Sequence, residues 1–377
     1  MKILYVAHNH PPKGAPLENI GGMQRVSMQL LKEFRKRDDI EVETTILRTS
    51  WDAIGYKAPL FLYEQLFRLP HKARESGADV ILFSSMVAAS LAYFIKNKVD
   101  IPMITINHGQ DVTLPVSAYQ WFVPKVFDSL DGVISVSTAT LQACRERGLP
   151  ADKGVALGNG FNMKRLQHFP DKELSRKEIR EHFGVDLQDK FMMLSVGRQV
   201  KRKGHEWFIR HVLPKLRDDL IFVTIGEGPE TANIEKAREE STERDRIYLL
   251  GKQPEDLLKK SYAAADLFVM PNIPVSGDME GFGIVLLEAN MARTPAIAAD
   301  LEGIKDVITN GKNGYRVPPL DEQAFAEKIC QLTRNGLTEF SEQTRVFVEQ
   351  QFSWEHVAQK YIDYMGKVKK DRTKADS

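Results

Sequence analysis

The sequence predicts an α/β protein built from two parallel-sheet units. Three observations lead there. Short apolar runs alternate with stretches of helical periodicity, the alternation restarts midway, and a charged, poorly hydrophobic segment separates the halves. At 377 residues the chain is too long for one ordinary core. Hydrophobic residues make up 42% and charged residues 27%, as in a soluble globular protein. A net charge of +1 excludes a global attraction to nucleic acid. Cys144 and Cys330 show no pairing pattern, so neither a disulfide framework nor structural zinc is expected.

In the first half, strands are predicted over Ile3–Ala7, Thr44–Arg48, Val80–Ser84, Met103–Asn107, Gly132–Val136 and Gly154–Leu157. Between the first two, Val26, Leu30, Leu31 and Phe34 recur at helix spacing within Met23–Arg37. The pattern restarts with strands over Phe191–Val196, Ile221–Ile225, Ile247–Leu250, Leu267–Met270 and Pro295–Ala298, with helices including Ile284–Met291 and Glu322–Leu332. The segment "QHFPDKELSRKEIREHFGVDLQDK", residues 167–190, carries the boundary, placed at 170/171. Each half opens with a strand leading into a glycine-containing loop, so two Rossmann-type units are expected, 1–170 and 171–353. The tail, 354–377, reads as an amphipathic helix with Trp354, Val357, Tyr361 and either Tyr364 or Met365 on one face. By pattern alone it could brace either domain.

The start, "MKILYVAHNHPP", is too short in its apolar run for a secretory signal, and no stretch approaches the ~18 apolar residues of a spanning helix. A cytoplasmic protein is expected. The stretch "PLFLYEQLFRLPHKAR", residues 59–74, mixes aromatics with a basic end; it reads either as first-domain core or as a surface touching a membrane.

Ligands of open α/β sheets bind beyond the carboxyl ends of strands, so the post-strand loops are the place to look. After the first strand, Gly21-Gly22 precede a helix, where bare backbone and free N–H groups suit an anion or else form a plain turn. His108 ends another strand within "HGQD"; a lone histidine is more often structural, and His8 and His10 invite the same reading. The loop "GRQVKRKG" holds Arg198, Lys201, Arg202 and Lys203 ahead of a helix. It is either a solvated basic turn or a cradle for a polyphosphate. The fourth loop, "MEGFGIVLLEA", sets Glu280 at its mouth and Glu288 just over one turn into a helix, about 6 Å along the axis. Gly281 and Gly283 leave the backbone bare between them. Two such carboxylates can accept hydrogen bonds from diols, Glu288 from a ribose and Glu280 from a sugar. The alternative, lysine-paired glutamates, suits Glu280 better than Glu288 in its apolar run. There is no G-x-x-x-x-G-K-[ST], H-E-x-x-H, G-x-S-x-G or D-x-D sequence.

With those loops identified, the chain resembles a retaining glycosyltransferase of the GT-B fold, family 4 (glycosyl transferases group 1) type. "EGFGIVLLEA" matches the family's E-x7-E motif through Glu280 and Glu288, and "VGRQVKRKG" matches its basic pair through Arg198 and Lys203. "IGEGPE", "GYRVPP" and the closing "FSWEHVAQKYI" also match; Gly21-Gly22, "HG" at 108–109 and "GNGFN" at 158–162 are similar but less specific. The resemblance implies two Rossmann-like domains facing across a cleft, an acceptor domain over 1–170 and a donor domain over 171–353. The tail helix, 354–377, would cross back to the first. It implies a donor such as a UDP- or GDP-linked hexose, with Arg198 and Lys203 on the diphosphate. The backbone of Phe282, Gly283 and Ile284 would join them there, with Glu288 on the ribose and Glu280 on the sugar. Gly21 and Gly22 would approach the phosphate and His108 would orient the sugar. Lys201 and Arg202 remain solvated turn residues in this scheme. No metal and no cofactor are implied, and the acceptor would be a glycan, a lipid-linked sugar or a small molecule in bacterial surface glycan or glycolipid synthesis. Two rivals stand beside it: a GT-B sugar-nucleotide epimerase or inverting transferase, which the E-x7-E motif and basic pair disfavour, and a non-catalytic sugar-binding protein, for which an export signal would be expected.

Overall fold

The computed structural model describes residues 1–14, 22–161, 163, 168–335 and 337–375. The chain divides into two compact units. One comprises Met1–Gly160 with Trp354–Ser377, the other Phe161–Ser353. The break therefore falls ten residues before the expected 170/171. Its cause is local: Phe161 bridges Ser353, its N–H bonds the Phe352 carbonyl at 2.7 Å, and its buried ring joins the second unit's core.

The first unit is a six-stranded parallel sheet of β1 (Lys2–His10), β2 (Glu41–Arg48), β3 (Val80–Phe83), β4 (Met103–Asn107), β5 (Gly132–Ser135) and β6 (Gly154–Ala156). The spatial order is β2-β1-β3-β4-β5-β6. β1 alternates as a fully covered strand must. Leu4 and Val6 enter one core and Ile3, Tyr5 and Ala7 the core on the opposite face. The helix Gly22–Arg35 buries Val26, Leu30, Leu31 and Phe34, the periodic set seen in the sequence. The tail helix Trp354–Ala375 buries Val357, Tyr361 and Met365 in this unit's second core, and Tyr364 donates to the Lys153 carbonyl at 2.6 Å. Before β3 runs one long helix, Trp51–Ser76, through both Pro59 and Pro70.

The second unit repeats the plan with β7 (Phe191–Val196), β8 (Leu220–Ile225), β9 (Ile247–Leu249), β10 (Leu267–Met270), β11 (Ala296–Ala299) and β12 (Gly314–Val317). Their order is β12-β11-β10-β7-β8-β9, all parallel. The chain lays β7, β8 and β9 to one side, then returns to place β10 beside β7 and continue the other way. Connection direction thus reverses between β7 and β10, and the loops leaving those two strands flank the crevice where doubly wound sheets take ligands.

Three buried histidines make this fold sensitive to acid. At the end of β1, His8 shares a hydrogen bond with Ser85 Oγ at 3.2 Å and His10 with Ser27 Oγ at 2.7 Å. Beyond β7, His205 bonds Ser195 Oγ at 2.9 Å. Burial, aided by neighbouring positive charge or histidine, lowers His8 and His10 to about 4 and His205 to about 3, from an ordinary 6.5. All three are neutral in the fold, whereas the unfolded chain binds protons below 6.5. Stability is therefore full above pH 6.5 and falls as the pH drops toward 4. Urea denaturation at pH 7 and pH 5 should show a clear loss at pH 5. Equal stability at the two values would contradict the burial of these rings.

Candidate functional site

The two loops at the β7/β10 switch are tied together before any ligand is considered. The first, Gly197–Gly204, winds into a single 3-10 turn over Lys201–Lys203 and ends in Gly204 with φ +67°. A Cβ there would lie 2.0 Å from the Pro271 carbonyl oxygen, so only glycine permits this approach of the two loops. Ile273 N–H then donates to the Arg202 carbonyl at 2.9 Å. The loop "GEGPE" closes the far side, with Gln199 Oε1 accepting from Thr231 Oγ1 at 2.6 Å.

Across that junction lies a buried ion pair. Lys203 Nζ donates to Glu280 Oε2 at 2.7 Å, and both residues are buried. Asn272 Nδ2 donates to the same oxygen at 3.2 Å, and Arg202 Nε lies 3.5 Å away. Burial alone would raise the Glu280 carboxyl, but the charge and hydrogen bond of Lys203, with Arg202 and Asn272, hold it below the ordinary 4.5. The Glu280 N–H donates to the Glu302 carboxylate, and burial with the nearby Glu280 charge raises that group. The sequence anticipated none of Asn272, Arg202 and Glu302 here. Arg202 is a correction: it is not a solvated turn residue but half-buried, facing Asp278 at 3.3 Å as well as Glu280. Lys201 is exposed. Arg198 is exposed too, and its side chain makes no ion pair among the described residues.

Glu280 leads into Gly281 and Phe282, then Gly283, which caps the helix Ile284–Met291 in the left-handed region at φ +69°. Among the described residues, the N–H groups of Phe282, Gly283 and Ile284 donate no hydrogen bond, so a helix start presents three donors at the switch. Glu288, one turn further, is buried and accepts from the Tyr262 hydroxyl at 2.8 Å. The expensive carboxylate in the apolar run thus has a structural partner, a tyrosine 26 residues away that no local pattern reveals. Arg198, Lys203, Glu280, Phe282, Gly283, Ile284 and Glu288 all belong to these two loops and the helix they open.

In the first unit the chain reverses between β1 and β3; His8 and Ser85 lie at the ends of those strands, and His108 follows the neighbouring β4. His108 Nε2 donates to the Ser84 carbonyl at 2.9 Å. Asp111 holds the surrounding turns by accepting from the backbone N–H of His108 at 2.8 Å and of Met86 at 2.9 Å. Gly22 opens its helix, while Gly21 lies outside the described residues. Among the described residues no three His, Cys, Asp or Glu side chains gather to hold a metal ion.

Comparison with known proteins decides the family. The profile described as "Glycosyltransferase Family 4" matches residues 20–165, and that described as "Glycosyl transferases group 1" matches residues 190–335. The chain belongs to the group 1 glycosyltransferases. Among curated relatives, an alpha-D-kanosaminyltransferase of Streptomyces kanamyceticus is 32% identical over 164 residues, 43% of this chain and 41% of that one. A GDP-mannose-dependent alpha-(1-6)-phosphatidylinositol monomannoside mannosyltransferase of Mycobacterium tuberculosis is 27% identical over 329 residues, 85% and 76% of the two chains. The chain thus spans less than half of the first relative and about three quarters of the second. The crystal structure of Anabaena HepE in complex with UDP matches with a TM-score of 0.71 at 18% identity, covering 97% of this chain and 100% of that chain. The fold is GT-B, as the sequence predicts.

Lys203 and Arg198, equivalent in the sequence motif, differ in what they support. Replacing Lys203 by Met leaves the buried Glu280 carboxylate without its cation and should cost about 3–5 kcal/mol. Arg198→Ala should stay within about 0.5 kcal/mol. Because Glu280 is held below 4.5, the Lys203 contribution is full above that pH and disappears as the pH falls through the lowered value. Denaturation curves of both variants at neutral pH check the contrast, and equal losses would refute it.

Proposed function

We propose that this glycosyltransferase moves a hexose from a UDP- or GDP-linked donor to a glycan, lipid-linked or small-molecule acceptor, with retention at the anomeric carbon and without a metal. The observation that carries the reading is one arrangement: an exposed arginine, a buried lysine and three unpaired N–H groups at a switch point, with a buried carboxylate on each side. Cations and helix-start N–H groups suit a diphosphate; carboxylates suit hydroxyls. The names of relatives agree in kind, one being GDP-mannose-dependent and a solved neighbour holding UDP and glucose.

In this reading Arg198 grips the diphosphate bidentately. Lys203 has three N–H donors; one holds Glu280 and the others are offered to phosphate oxygens. Phe282, Gly283 and Ile284 N–H groups meet the same anion. Glu288, oriented by Tyr262, accepts from the ribose diol, and Glu280, kept ionised by Lys203, accepts from hydroxyls of the transferred sugar. As the bond from C1 to the β-phosphate oxygen breaks, these fixed donors stabilise the charge growing on the diphosphate. The acceptor oxygen forms the new bond to C1 from the same face, and its proton passes to a phosphate oxygen. His108, Gly21 and Gly22 of the first unit are assigned to the donor sugar and phosphate by the family resemblance.

Two measurements test this. Turnover with the stabilising donor, found by a thermal-shift panel of UDP-, GDP- and ADP-sugars, should persist in excess EDTA; activity lost there and restored by magnesium or manganese would reject the metal-free scheme. Product configuration by NMR reads retention directly, and an epimerase would form its product with no acceptor present.

The two carboxylates should also separate by ligand. Glu288→Gln is expected to weaken nucleotide binding about tenfold or more whether or not a sugar is attached. Glu280→Gln should slow transfer while sparing affinity for the bare nucleoside diphosphate. Calorimetry with diphosphate and intact donor decides it, and equal damage to bare-nucleotide binding would sink the division of roles.

A further inference from the structure

A third loop reaches the switch-point site, and it does so at a conformational cost. β11 lies beside β10 on the side away from β7. The turn that leaves it, residues 300–303, folds back onto the mouth of the Glu280 loop. Gly303 N–H donates to the Glu280 carbonyl at 3.1 Å. A Cβ on Gly303 would lie 2.1 Å from the Gly281 carbonyl oxygen, so this approach requires glycine at 303. The residue before it sits where glycine would also be easier. Glu302 has φ +47°, in the left-handed region that side chains other than Asn and Asp rarely enter. Strain of this kind persists where the surrounding structure enforces it, and it points to a use for the side chain so presented.

What this backbone presents is a carboxylate. One oxygen of Glu302 accepts the Glu280 N–H. Among the described residues the other makes no hydrogen bond and is not sealed from solvent, the residue being half-buried. Glu302 is thus the third carboxylate at this end of the site, with Glu280 and with Asp278, which Arg202 meets at 3.3 Å. Burial raises the Glu302 carboxyl above 4.5, and the charges of Glu280 and Asp278 add to it against the Glu280 N–H and Arg202. Negative charge is in surplus here. Three carboxylates face two cations, Arg202 and Lys203, and Lys203 is shared with phosphate in the function proposed above.

We propose that Glu302 sets the specificity for the transferred sugar: its free oxygen accepts a sugar hydroxyl, and the three carboxylates together reject a sugar carrying a carboxylate of its own. The donor's sugar is then a neutral hexose and not a hexuronate. This rests on the reading that places the transferred sugar at Glu280. A hydroxyl donates to a carboxylate without adding charge. A hexuronate would bring a fourth negative charge into a partly dry site, where repulsion is screened least. The two sugars differ at one carbon, CH2OH against carboxylate, so shape separates them poorly and repulsion must do so.

The test is calorimetry on the full chain with three probes of one base. They are UDP, UDP-glucose and UDP-glucuronate, or GDP, GDP-mannose and GDP-mannuronate where the guanine series binds. The wild type should hold the hexose donor roughly tenfold or more tightly than the hexuronate donor. Glu302→Gln removes the charge but keeps an acceptor. It should narrow that gap by roughly tenfold and leave affinity for the bare diphosphate unchanged. Glu302→Gly also frees the backbone, so it should weaken the hexose donor without lowering the thermal transition. An unchanged hexose-to-hexuronate ratio in the folded variants overturns the proposal, as does a wild type that takes both sugars equally. So does a loss of bare-diphosphate binding in both variants, which would make Glu302 a brace for the loop. A wild type that binds neither UDP nor GDP would overturn the function proposed above and this inference with it; the bare diphosphate therefore tells the two failures apart.

Discussion

The buried contact between Lys203 and Glu280 organises the second unit's candidate site. It joins residues 77 apart in sequence, on loops that leave adjacent parallel strands. Remove it in thought and the cluster loses its logic: Asn272 and Arg202 converge on a carboxylate that would otherwise be an isolated buried charge. Removing one partner of such a pair costs far more than the pair contributes over an apolar replacement, because the remaining charge is stranded. A site built this way makes poor sense as a device for stability. It makes good sense as a way of keeping one carboxylate ionised and one ammonium fixed where a polar ligand can use both.

The sheet order explains why the pair forms where it does. Because β10 returns beside β7, the two loops leave the sheet side by side at the same edge of the strands. Close backbone approach then follows from Gly204, whose missing Cβ admits the Pro271 carbonyl. The first unit reaches the same topology independently, with its reversal between β1 and β3, where His8 and Ser85 lie, and His108 following the neighbouring β4. Two sheets of one plan thus produce two polar clusters of opposite character. The first is made of imidazoles and a carboxylate satisfied by backbone N–H groups, the second of cations gathered about the Glu280 carboxylate.

What the sequence reveals follows from what is continuous in it. β4, β7 and β10 are read to the residue because both faces of a central parallel strand are buried and the apolar run has no gaps. β12 is missed, since Gly314-Tyr315-Arg316-Val317 lies at the sheet edge and is only half apolar. The helix Trp51–Ser76 is seen only as 59–74, because each internal proline disfavours helix at the residue before it. The unit boundary is misplaced because Phe161 is claimed by a pairing with Ser353, nearly two hundred positions away. At the site, the motif residues are legible as types at fixed spacing, but their partners are not. Tyr262 for Glu288, Asn272 and Arg202 for Glu280 and Asp111 beneath His108 are all supplied by tertiary approach.

The contrast between the two cations carries the synthesis furthest. Arg198 is exposed and unpaired among the described residues, so its full charge is available to a ligand but weakened by water. Lys203 is dry, where each interaction counts for more, yet its charge is already balanced by Glu280. An anion arriving at this loop therefore meets one cation that attracts it from solvent and a second that strengthens its hold only at close range. That second cation cannot leave Glu280 without stranding it. The arrangement favours a ligand that is anionic at one end and rich in hydroxyls at the other, because only such a ligand engages Lys203 and Glu280 together and keeps the pair intact. A bare inorganic anion satisfies half of the pair, and a neutral sugar the other half.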